Sequence, residues 1–146
     1  MKKILAILMI CLTVSPAIAG GVGYVNYEYI FNNYKFAQNA AKEIMSKEKQ
    51  INDLIKQKEA EYNKLETPIQ KQKFEEAFKK EMSLKENEFN ALRNKKEEEV
   101  YTRIHAVTEK IRLEKNLDAI LDSRSVFSGG VDVTNTVLNK LNEHQR

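Results

Sequence analysis

The side chains most able to do chemistry are few and scattered along this 146-residue chain. His105 and His144 lie far apart, and neither has a Cys or a second His at ligand spacing, so neither points to a metal site. Glu97, Glu98 and Glu99 are consecutive, and neighbouring residues of a helix face different directions. Their carboxylates cannot converge on one cation. Gly129-Gly130 is too short for a phosphate-binding loop and reads as a turn. Ser15 and Ser125 sit in no nucleophile motif, and no Ser, His and Asp set is grouped. No catalytic residue, metal ligand or cofactor is therefore assigned, and an enzyme is not expected. What recurs at meaningful spacing is apolar and aromatic: Tyr62, Leu65, Phe74, Phe78, Met82 and Phe89. Flexible Met and aromatic side chains adapt to varied apolar partners, which makes these six the candidate binding surface. An amphipathic stripe exists first to pair helices, so most of the six are also expected to zip two helices together.

The elements that must position them lie between Phe36 and Lys115, a stretch with no Gly and one Pro in which Lys and Glu alternate over a sparse apolar stripe. Thr67-Pro68 is its one strong breaker: Thr caps a following helix, and Pro fits the first turn because it lacks only an N–H that would be unpaired there. Two long helices folded back on each other are expected over 36–115, with the tip near 66–69. At about 1.5 Å per residue the arms reach roughly 45 and 70 Å, too long to hide inside one globule. In the outgoing arm Ala37, Ala41, Ile44, Ile51, Ile55, Tyr62 and Leu65 fit a heptad seam if Glu48 and Lys58 take two of its positions. The returning arm continues through Phe74, Phe78, Met82, Lys85, Phe89 and Leu92, then Val100, Ile104, Val107 and Ile111. Lys96 fills the long step between Leu92 and Val100, where a change of partner or curvature is expected. Arm should give way to body near Lys95 to Val100.

Met1-Lys2-Lys3, an apolar run from Ile4 to Val14, and Ala17-Ile18-Ala19 before Gly20 have the form of a cleaved secretory signal over 1–19. The run is too short for a membrane span of about 20 residues. Ile10 before Cys11 is not the small residue that lipid attachment needs, and cleavage after Ala19 would leave no cysteine, hence no disulfide. Lys2 and Lys3 leave with the leader, so the formal charge drops from +3 to +1. A chain so close to neutral argues against a nucleic-acid partner, which calls for a clearly basic face. Within Lys42 to Glu99 there are fourteen basic and fourteen acidic side chains, so the arms carry no net charge.

The two ends of the chain read as a small body, 20–35 and 116–146. Val22 to Tyr27 is a β-prone run, Glu28 to Asn33 a short helix, Leu117 to Asp122 a second strand and Ser125 to Phe127 a third. Val137, Leu138 and Leu141 mark one face of a final helix, with Asp132 or Thr134 near its cap. Fold class is accordingly α+β, mainly α. Roughly fifty residues outside the arms bury little core alone, and without metal or disulfide the remaining route to stability is oligomerisation.

Val22 to Phe31, VGYVNYEYIF, together with LDAILDSRSVFSGGVDVTNTVLNKLN from Leu117 to Asn142, resembles the Skp/OmpH family of periplasmic chaperones. The resemblance implies a homotrimer: strands of three subunits form a central body, and three helical hairpins project from it as tentacles around a cavity. It implies an ATP-independent holdase that keeps unfolded outer-membrane β-barrel proteins from aggregating in the periplasm, without cofactor. Trimer contacts would then draw on Val22, Tyr24, Val25, Ala119, Ile120, Leu121, Val126 and Phe127, with Ile104, Val107 and Ile111 adjoining. Some members have basic tentacles suited to lipopolysaccharide; the near-neutral charge here disfavours that contact and, with it, a transient contact with the membrane surface. The alternative reading is a structural coiled-coil scaffold of the envelope that binds one folded partner.

Overall fold

The computed structural model describes residues 20–143. The leader read at 1–19, with Cys11, and His144 lie outside the described residues. In chain order come β1 (Val22–Val25), α1 (Tyr27–Asn33), α2 (Lys35–Tyr62), α3 (Pro68–Glu114), β2 (Ala119–Asp122), a 3-10 turn (Ser123–Ser125), β3 (Val131–Asp132) and α4 (Thr134–Glu143).

β1 is the middle strand of a three-stranded sheet in the order β2-β1-β3, and both neighbours run parallel to it. Val22 to Val25 face Ala119 to Asp122 in register. Parallel neighbours need a crossover, usually one helix long. Here the crossover from β1 to β2 carries α1, α2 and α3, so the whole helical hairpin is an extended strand-to-strand connection.

Each helix end has a local reason. Asn26 ends β1 and caps α1, its side chain accepting from the Tyr29 N–H at 2.8 Å. Tyr34 is extended (φ −80°, ψ 116°) and separates α1 from α2. The orphan N–H of Lys35 that begins α2 donates to Asn142 Oδ1 at 3.0 Å, while Asn142 Nδ2 donates to the Asn33 carbonyl at 3.3 Å. One side chain of α4 thus clamps the break where the arm leaves the body. α3 starts on a reciprocal cap between Thr67 and Gln70 with Pro68 in the first turn. The turn occupies 63–67, a little before the expected tip, because Pro68 and Ile69 already belong to α3. At the far end Asn116 takes a left-handed φ of 52°; Asn116 N–H bonds to the Leu113 carbonyl (3.1 Å) and Leu117 N–H to that of Arg112 (2.9 Å), closing the helix terminus.

The buried core is Val25, Ile30, Tyr34, Ala37, Ala40, Val100, Ile104, Ile111, Leu117, Val133, Val137, Leu138 and Leu141. All of it lies at one end of the molecule. The roots of both arms, Ala37 and Ala40 on α2 with Val100, Ile104 and Ile111 on α3, complete the thin body that the terminal segments begin.

Two expected details differ. No strand forms over Ser125 to Phe127: the Asp122 carboxylate accepts from the Arg124 N–H at 2.9 Å, Val126 N–H bonds to the Ser123 carbonyl at 3.2 Å, and the chain turns. The third strand is instead Val131–Asp132, paired with Gly23 and Tyr24. In the outgoing arm Lys47 is half-buried and Glu48 exposed, so the seam position assigned to Glu48 belongs to Lys47.

Candidate binding surfaces

Two regions present apolar side chains that the chain does not itself cover. The first is the arm near its tip. Tyr62 of α2 meets Phe74 of α3 at 5.9 Å between ring centroids, and Phe74 stacks on Phe78 at 6.2 Å. Between them opens a recess of about 340 Å³ lined by Lys58, Glu59, Tyr62, Asn63, Phe74, Glu75 and Phe78. Lys58 Nζ lies over the Phe74 ring at 5.7 Å, and Lys71 Nζ over the Tyr62 ring at 5.4 Å. The Tyr62 hydroxyl donates to Glu75 Oε1 at 2.6 Å, and this bond, with some loss of solvent and the carboxylate charge, raises the phenol above its ordinary value. The recess is open, aromatic at its floor and mixed in charge at its rim.

Of the six candidate residues, the structure brings Tyr62, Phe74 and Phe78 together here. Leu65 is half-buried in the turn, and Met82 and Phe89 are half-buried farther down the seam. Arg93 covers one face of the Phe89 ring at 5.9 Å. Lys58, Lys85 and Lys96 do sit in the seam, half-buried or at its border, with their heads led out to carboxylates. Lys96 pairs with Glu43 at 2.7 Å, Lys47 with Glu88 at 3.1 Å and Lys58 with Glu81 at 3.5 Å, all across the hairpin. The Lys47 and Lys85 ammonium groups hold Glu88 below the usual carboxylate range, and the bond to Glu43 raises Lys96. The sequence marks Lys58, Lys85 and Lys96 as polar seam positions but misses Lys47 and gives none of their partners, since pairing across the arm depends on the relative height of the two helices.

The second region is the body. Val22, Leu121 and Val131 are exposed along the sheet, and Phe127 projects from the loop before β3. Beside β2 lies a recess of about 280 Å³ lined by Val25, Tyr27, Tyr101, Ile104, His105, Thr108, Ile120, Leu121 and Asp122. His105 stacks on Tyr101 at 5.9 Å. Burial, and then proximity to Tyr101, raise the Tyr27 phenol. Of the residues expected at subunit contacts, Val22, Leu121 and Phe127 are exposed, while Tyr24, Val107, Ala119, Ile120 and Val126 are half-buried. Val25, Ile104 and Ile111 are buried in the chain's own core. Tyr101, which sequence reasoning passed over, is 58% exposed at the recess rim. Its position one turn before His105, beside the seam residue Val100, was the available signal.

Among the described residues no group of three His, Cys, Asp or Glu side chains could hold a metal ion, and no helix is long and apolar enough to cross a membrane.

A family model described as outer membrane protein (OmpH-like) matches residues 21–141. Among solved structures, the chain is similar to a Caulobacter crescentus CB15 protein described as an outer membrane chaperone (OmpH-like). That likeness covers 86% of this chain and 85% of the other, with a TM-score of 0.52 and 14% identity. At such identity it speaks for the fold. No curated protein matches the sequence.

Proposed function

The chain belongs to the OmpH-like family of outer membrane proteins, and on that premise we propose that it is a periplasmic holdase chaperone, exported by a cleaved leader and working without ATP. Three copies join through the sheet body, and their arms enclose unfolded outer-membrane β-barrel proteins. The observation that carries the reading is the arm itself: a projecting hairpin whose aromatic stripe is only half covered, opening at Tyr62, Phe74 and Phe78 into a recess. Half-covered aromatics bind apolar segments weakly, and many weak contacts in one cavity add to useful avidity while each releases quickly. The client leaves when folding into a membrane offers it a lower free energy. No nucleotide is needed for that cycle.

Assembly is supported by the sheet. β2 and β3 are both edges, and open edges invite pairing with another chain. The two edges differ in sequence and length, so pairing one with the other is head-to-tail, the kind of contact that gives a closed trimer when its rotation is threefold. The near-neutral formal charge disfavours lipopolysaccharide and nucleic acid as partners.

The test is light scattering of a urea-unfolded outer-membrane barrel protein diluted into nucleotide-free buffer with and without this protein. Suppression saturating near one trimer per client is expected. Unchanged scattering would sink the holdase reading and leave an envelope scaffold that binds one folded partner. Phe78→Glu combined with Phe89→Glu should abolish most of the suppression while the native mass stays trimeric; collapse of helicity in that variant would assign these side chains to zipping the hairpin instead.

A further inference from the structure

The loop between β2 and β3 is held at both ends and carries one aromatic side chain with nothing on it. At its start the Asp122 carboxylate accepts from the Arg124 backbone N–H and from its guanidinium, both at 2.9 Å. At its end Gly129 and Gly130 take φ of +81° and +90°, and Gly130 lies so close to the Val22 carbonyl and the Tyr24 ring that a Cβ would stand 3.1 and 3.2 Å from them. Between these anchors Phe127 is 106% exposed. Lone exposed apolar residues are common on protein surfaces. A wholly uncovered aromatic on a doubly anchored loop is a knob.

The same chain carries a hole. The recess of about 280 Å³ beside β2 has walls from Val25, Tyr27, Tyr101, Ile104, Ile120 and Leu121, apolar or aromatic and with room for a benzyl group. Thr108 also lines it, and its Oγ1 is buried without a hydrogen-bond partner. A buried hydroxyl left unpaired is costly, so this one marks a place that a polar group of an incoming chain would complete. Phe127 is flanked by such groups, since Ser125 and Ser128 stand on either side of it.

We propose that Phe127 of one copy seats in the Tyr27–Tyr101–Leu121 recess of a neighbouring copy, where Ser125 or Ser128 supplies the partner for Thr108. This rests on the trimeric reading above and says which side chains make its contact. Knob and hole are different surfaces of one chain and leave each other empty, so the contact joins two copies; in the trimeric reading it repeats head-to-tail about a threefold axis, with every Phe127 covered.

The test replaces Phe127 in the full chain by p-benzoylphenylalanine, irradiates the native protein, and reads native mass and adduct sites in parallel. Expected are two- and three-chain bands on a denaturing gel, with adducts mapping to 101–108 or to 119–122 of another copy. Adducts confined to one chain, or lying on the arms, would overturn the seating. A trimeric mass without recess adducts sinks this contact alone, whereas a monomeric mass at every concentration removes the assembly reading with it. In addition, Phe127→Ala should weaken assembly at least tenfold with helicity unchanged, and Phe127→Leu should recover part of it. Assembly as tight in Phe127→Ala as in the parent would also overturn the proposal.

Discussion

α3 runs through both halves of the molecule, and the same helix is held in two different ways. In the body it buries Val100, Ile104 and Ile111 almost completely, because α4 and β2 pack against it. In the arm it meets α2 alone, and Phe74, Phe78, Met82, Phe89 and Leu92 stay half-covered. Two helices share one line of contact. A third layer is what turns a stripe into a core. The arm compensates with many small terms, ion pairs across the seam and a reciprocal cap, each easily replaced and each worth little in water. The body is therefore expected to unfold cooperatively and the arm to open piecemeal.

The sharpest way to break that contrast is a charge in each half. Ile104→Asp should cost upwards of about 3 kcal/mol, because an unpaired carboxylate is forced into a buried site. Leu92→Asp, in the half-covered seam, should cost about 1 kcal/mol or less. Urea unfolding followed by circular dichroism measures both, and equal losses would mean that the arm is as well packed as the body.

Truncation gives the next largest difference. Ile30→Ala, at a side chain with no exposure, should cost about 2–5 kcal/mol through transfer and cavity. Met82→Ala should fall well below that range, since its site is open to water and can relax. Should Met82→Ala match Ile30→Ala in a melting experiment, the arms must be covered in solution by something beyond the chain.

Smaller still are the end caps, one in each region. Thr67→Ala removes the cap at the tip and Asn142→Ala the clamp at the arm's root, each worth about 1 kcal/mol. Their consequences should differ. Hydrogen exchange ought to rise only around 68–71 in Thr67→Ala, and at both the α1–α2 break and α4 in Asn142→Ala. Exchange confined to residue 35 in the latter would show that Asn142 does not couple α4 to the arm.

The smallest effect is acid. Glu88 in the arm and Glu114 in the body are both held below the ordinary carboxylate range, first by hydrogen bonds from Lys47 and Lys140 respectively. A depressed folded-state value means that the contribution is present above the unfolded value, about 4.3, and fades as pH falls through the folded one. Both carboxylates are solvent-exposed pairs, so each contributes modestly. Lowering the pH from 6 to 3 should loosen the arm before the body, read as exchange at 85–96 against 134–141. The reverse order would contradict the division between them.

The hairpin was legible because its signals are local. A Gly-free run, one Thr-Pro breaker and apolar residues at steps of three and four specify two helices and a turn without reference to anything distant. The terminal helix was legible from Val137, Leu138 and Leu141 for the same reason. β3 was not. Val126-Phe127 is the better strand by residue type, yet the Asp122 side chain turns the chain there, and Val131–Asp132 is a strand only because Gly23 and Tyr24 lie beside it. The aromatic and Met stripe was legible as a set. Which members converge was not, since the meeting of Tyr62 with Phe74 depends on how the two helices are staggered.

By itself, then, the sequence determined the helical hairpin, its turn and the terminal helix, all properties of neighbours along the chain. Tertiary structure decided the parallel sheet through β1, the recruitment of Ala37, Ala40, Val100, Ile104 and Ile111 into the body, and the recess that Tyr27, Tyr101 and Leu121 share beside β2. Each of those joins residues many positions apart. Whether a half-apolar side chain ends in a core, a seam or a contact with another chain depends on what packs over it, and no local pattern carries that information.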